Sequence, residues 1–65
     1  MRSNLIAARK GAGLTQKKIA EAIGIKVRHY QRLEHGTSRG SITVWVKLKE
    51  LLHTPISTLL EETAS

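Results

Sequence analysis

Apolar residues recur along this chain at helical intervals, in five segments divided by glycines and short polar stretches. The first segment carries Leu5, Ala8 and Ala12 on one narrow stripe, with Ser3 or Asn4 as the expected N-cap. Gly11 and Gly13 weaken its last turn, so the helix is expected to end near Ala12. Thr15 is the next N-cap, and Ile19, Ala20 and Ile23 share a face of the helix it opens. Gly24 stops that helix, because a residue without Cβ can take positive φ and reverse the chain, and Ile25 begins the turn. A third helix is predicted from about Lys26 to His35, closed by Gly36. After the polar loop Thr37–Gly40, Ser41 caps a fourth helix with Ile42, Trp45, Leu48 and Leu52 as its inward stripe. Thr54 as cap and Pro55 at the first helical position open a fifth, with Ile56, Leu59 and Leu60 as its apolar face. A frayed tail is expected after Glu62.

No segment alternates apolar and polar residues as a strand would, so the fold class is all-α. The short connections predict a compact five-helix bundle, a single domain over residues 1–65. Within it, two helices joined by a glycine turn, with a small residue facing the turn, make a helix-turn-helix over about 15–35. Ala20 permits a close crossing, while burial of Ile19, Ile25, Tyr30 and Leu33 sets the angle between the helices. The residues left exposed on the second of these helices are Val27, Arg28, Gln31 and Arg32.

Composition then narrows the chemistry. A chain of 65 residues buries only about 60% of the surface its unfolded form exposes, which leaves no room for an enclosed catalytic cleft. Without cysteine, stability must come from apolar packing, and 40% of the residues are apolar. Tyr30 and Trp45 are the only aromatic residues, too few for a base-stacking platform. The net charge is +6 and the pI about 10.4, which points to a polyanionic partner. All eleven Lys and Arg lie between Arg2 and Lys49, with only Glu21 and Glu34 among them; from Glu50 onward there are three Glu and no Lys or Arg. His29, His35 and His53 have no zinc-binding spacing, and no nucleophile-base set or phosphate-cradling loop is present. No enzyme activity, metal, cofactor or small-molecule ligand is therefore expected. No apolar run approaches the ~20 residues of a membrane span and no signal peptide is visible, so a cytoplasmic protein is expected.

The segment LTQKKIAEAIGIKVRHYQRLEHG, Leu14 to Gly36, resembles the lambda-repressor and Cro-like (XRE) helix-turn-helix family. The joint spacing of Thr15-Gln16, Ala20, Gly24, Leu33-Glu34 and Gly36 carries the resemblance. It extends upstream to Arg9 and downstream through SITVWVKLKELLHTPISTLLE. It implies that Gln16 contacts a backbone phosphate at a helix N-terminus. It implies that Val27, Arg28 and Arg32 read bases: arginine bidentate to guanine, valine against a thymine methyl. It also implies that Arg9 and Glu34 form a partly buried salt bridge belonging to the scaffold. Gln31 is a further candidate for a base or phosphate. Lys17, Lys26, His29, Arg39, Ser41 and Thr43 are candidates for phosphate contact. Lys26 departs from the family, which usually has Ser or Thr there; lysine cannot accept the capping N–H bond, so either the cap is lost or the helix starts elsewhere.

The expected function is sequence-specific binding of double-stranded DNA by a prokaryotic or phage transcriptional regulator of Cro/repressor type. The third helix would enter the major groove. A homodimer would place two such helices about 34 Å apart on a near-palindromic operator. The loop before the fourth helix and exposed apolar residues of the fifth are candidates for the dimer surface. The alternative is an antitoxin or assembly subunit that uses the same fold mainly to bind protein.

Overall fold

Helical spacing becomes five helices in the computed structural model, which describes residues 1–61. They are α1 (Ser3–Gly11), α2 (Gln16–Ile23), α3 (Val27–His35), α4 (Ile42–Leu52) and α5 (Ile56–Leu60), with no strand among the described residues. The tail expected to fray after Glu62 lies outside the described residues. α1 packs against α5 and α3, α2 against α3 and α4, and α4 against α5. Their shared core is Leu5, Ile19, Ala20, Ile23, Tyr30, Leu33, Val44, Trp45, Leu48, Leu52 and Leu59.

Local chemistry explains most boundaries. Thr15 Oγ1 accepts from Lys18 N–H at 3.1 Å, and Ser41 Oγ accepts from Val44 N–H at 3.2 Å. Both satisfy first-turn donors that lack a helical partner. At the end of α2, Gly24 takes φ 77°; its N–H donates to Glu21 O and the Ile25 N–H to Ala20 O. That pair of bonds is a Schellman closure, and it turns the chain directly into α3.

Five expectations are corrected. α1 is capped by Arg2, not by Ser3 or Asn4, and without a side-chain bond; Asn4 Nδ2 instead donates to Thr58 O at 3.2 Å, tying α1 to α5. Ala12 is exposed as the C-cap of α1, and Arg9 occupies the buried face beside Leu5. Ile42 is 71% exposed, while Val44 joins Trp45, Leu48 and Leu52 in the core. At 3.6 residues per turn, Ile42 lies roughly a quarter turn from the centre of that stripe. Finally, Pro55 is the N-cap of α5 and Thr54 lies one residue before it, its Oγ1 donating back to Leu52 O at 2.9 Å. In the same helix Leu60 remains 38% exposed, so Leu59 alone is fully buried there.

Candidate nucleic-acid interface

α3 is held on one side and open on the other. Tyr30, Leu33 and Glu34 are buried, whereas Val27, Arg28, His29, Gln31, Arg32 and His35 are exposed. The helix begins at Val27 with Lys26 as N-cap at φ −72° and ψ 145°, and no side chain caps it. The register expected from the sequence is therefore kept and the capping bond is lost. Among the described residues, the Arg28 and Arg32 side chains make no hydrogen bond within the chain.

A buried carboxylate organises the inner face. Glu34 Oε2 accepts from Arg9 Nε at 2.6 Å and from the Tyr30 hydroxyl at 2.6 Å. Its Oε1 accepts from Gln16 Nε2 at 2.9 Å. Arg9 also donates through Nη1 to Leu14 O at 2.9 Å, so one guanidinium spans α1, the loop before α2, and α3. Burial alone would raise the Glu34 carboxyl; the hydrogen bonds from Tyr30, Gln16 and Arg9, with the Arg9 charge, outweigh it and hold the group below the usual carboxylate range. Burial, the bond to Glu34 and the Glu34 charge together push the Tyr30 phenol well above its ordinary value.

The network reaches the surface through two amides. Gln31 Nε2 donates to Gln16 Oε1 at 3.2 Å, so Gln31, Gln16 and Glu34 form one line of bonds from the exposed side of α3 inward. Gln16 is half-buried and keeps a second amide hydrogen for an outside acceptor. Lys17 and Lys26 are exposed at the starts of α2 and α3. Arg39 and Ser41 are exposed in the connection to α4, and Thr43 in its first turn. The Ser41 oxygen serves as the α4 cap, which leaves its O–H free to donate.

Sequence reasoning missed Arg2, which is only 5% exposed, and the hydrogen-bonding roles of Tyr30 and Trp45. The signal for Tyr30 was present: Glu34 follows it by one helical turn, where the hydroxyl can reach the carboxylate. Arg2 carries no comparable local signal, because its acceptors come from residues distant in the chain.

No helix among the described residues is long and apolar enough to cross a membrane, and no group of His, Asp or Glu among them is placed to hold a metal ion. No curated protein and no solved structure matched the chain. A helix-turn-helix family model matches residues 5–59, which takes in most of α1, all of α2 to α4 and most of α5. With a locked inner face, an open basic outer face and a match over most of its length, the chain belongs to the lambda-repressor/Cro-like (XRE) family of DNA-binding helix-turn-helix regulators.

Proposed function

We propose that residues 1–65 form one sequence-specific, double-stranded-DNA-binding domain of a Cro/repressor-type transcriptional regulator. The observation that carries this reading is the division of α3, with Glu34 and its partners fixing one side and Val27, Arg28, Gln31 and Arg32 exposed on the other. In this reading α3 enters the major groove. Arg28 and Arg32 bond guanine edges, Val27 meets a thymine methyl, and Gln31 reaches a base or a phosphate. Gln16, Lys17, Lys26, His29, Arg39, Ser41 and Thr43 contact phosphates and set the register of the helix on the duplex. Arg9 and Glu34 hold the scaffold.

The described residues measure 28 × 22 × 21 Å. Half-sites one DNA turn apart are separated by about 34 Å, so reading both requires two copies of the chain. We infer a homodimer on a near-palindromic operator, working in the cytoplasm, a reading that the size of one domain supports. Its contact surface draws on the exposed Ile42 and Leu60 and the connection before α4.

Selection of bound sequences from random duplex DNA tests the reading. It should return a short inverted repeat, and affinity should fall by about 0.9 log units per log unit of salt for each phosphate neutralised. A chain that binds no duplex at low salt but co-purifies with a protein partner would replace this function with the antitoxin or assembly role.

A further inference from the structure

We propose that Arg2 is a positioning residue for DNA binding, holding the connection between α3 and α4 so that Arg39 meets a phosphate. The inference rests on the DNA-binding reading above and adds to it a residue outside the stretch matched by the family model.

Arg2 precedes α1, yet its bonds go to the far end of α3. Its backbone N–H donates to Glu34 O at 2.8 Å. Its Nη1 donates to Leu33 O at 2.7 Å and to Ser38 O at 2.8 Å. The Leu33 and Glu34 carbonyls lie in the last turn of α3, where the helix dipole favours a cation. Arg2 Nε is buried without a hydrogen-bond partner. The charge instead faces an aromatic surface, with Cζ 5.2 Å from the centroid of the Trp45 ring. That is within range of a cation–π contact.

Trp45 continues the grip on the same loop. Its Nε1 donates to Arg39 O at 2.6 Å. Gly40 runs against the ring edge: a Cβ there would lie 2.9 Å from Trp45 Nε1 and 2.8 Å from Leu33 Cδ2. Arg2 thus fixes Ser38 and one face of the indole, and the indole fixes Arg39. The main chain on both sides of the exposed Arg39 side chain is held from inside. A buried arginine bonded to carbonyls and a ring face contributes nothing to a salt link of its own. It aims a neighbouring cation that can make one.

The test compares salt slopes of duplex binding for the unmodified chain and five variants, each first shown to be folded by circular dichroism. Arg2→Met fills a similar volume without charge or donors. Lys10→Met removes a charge from an exposed position on α1 and controls for the loss of overall charge. The expected slope for Arg2→Met is shallower by about 0.9, as for Arg39→Ala, while Lys10→Met keeps the unmodified slope. The Arg2→Met/Arg39→Ala pair should be no shallower than either single variant, since both changes remove the same contact. Arg2→Lys, which keeps the charge but not the planar fork, should restore the slope only in part. An unmodified slope in Arg2→Met, or in Arg39→Ala, overturns the assignment. Should Arg2→Met fail to fold, Trp45→Phe keeps a ring face for Arg2 while removing the bond to Arg39 along with part of the core packing; in a folded Trp45→Phe chain the same loss of slope is expected, and its absence overturns the proposal. An unmodified chain that binds no duplex overturns the DNA-binding reading itself, an outcome separate from the variant results.

Discussion

The Nε of Arg9 donates to Oε2 of Glu34 at 2.6 Å, with the two side chains only 11% and 5% exposed. An ion pair this sheltered is a poor source of net stability compared with apolar packing, but removing one partner is costly because the other charge is left buried. Glu34→Ala should lower unfolding free energy by about 3 kcal/mol, the lower end of the usual range, because Arg9 retains Leu14 O as an acceptor. Urea unfolding measures the loss, and an unchanged midpoint would contradict a scaffold role for the pair.

The same carboxylate makes stability depend on pH. The Glu34 pKa is lower in the folded than in the unfolded chain, where it lies near 4.5. Its contribution is therefore present above about that pH and is lost as pH falls through the folded value. Tyr30 has the opposite sign: its folded value is raised above the ordinary 10.0, so its contribution is present below that pH and is lost as pH rises above it. Urea midpoints across pH should show a plateau bounded by both groups. Tyr30→Phe should flatten the alkaline decline, and a decline of unchanged shape would assign it to other groups.

Much of this fold is legible in the chain because its punctuation is local. Thr15, Gly24, Ser41 and Gly36 act on their own neighbours, so the limits of α2 and α3 and the exposed side of α3 follow from spacing. Ile42 is harder, since the core-facing stripe of α4 is set by what packs against it, and Val44 serves as well. Gln16 is harder again. By type and position it is a surface residue, yet its amide turns inward because Glu34 has an oxygen to fill. The burial of Arg2 depends on Leu33, Ser38 and Trp45 converging in space, which no period along the chain encodes.

His53 closes α4 in the left-handed region at φ 52°, where glycine would be unstrained. Left-handed backbone costs a residue with Cβ about 1–2 kcal/mol, partly offset by the greater freedom of glycine in the unfolded chain. His53→Gly should therefore stabilise the fold by about 0.5–1 kcal/mol. Differential scanning calorimetry should register a higher Tm; an equal or lower one would mean the side chain makes a compensating contact.

Gly40 predicts the opposite response. It has φ 69°, and a Cβ there would press on Leu33 and Trp45 at once. Gly40→Ala should cost about 2 kcal/mol or more through backbone strain and overpacking. Trp45 fluorescence during unfolding would report both the lowered midpoint and the disturbed ring. A variant as stable as the parent would show that the loop can move aside.

On DNA, the basic residues should separate into two kinds. Arg28→Ala and Arg32→Ala should each relax preference at one base pair, losing about 1–3 kcal/mol of discrimination. Lys17→Ala should weaken all duplexes alike and reduce the salt slope by about 0.9. Binding measured against a panel of single-base variants distinguishes these outcomes, and uniform weakening by Arg28→Ala would move that residue to the backbone-contacting group.

The hydrogen bond from Gln31 to Gln16 bears on how such a protein could acquire a new target. Arg28 and Arg32 hold no bond inside the chain, so among the described residues nothing in the fold resists their replacement. Gln31 is different: through Gln16 it is joined to Glu34, so a change there takes one partner from the amide that bonds the carboxylate. A library randomised at Arg28 and Arg32 should yield folded proteins of altered preference at high frequency. One that includes Gln31 should lose members to instability unless Gln16 varies with it. The route by which this domain can diverge runs through its arginines, with the two glutamines coupled by the bond between them.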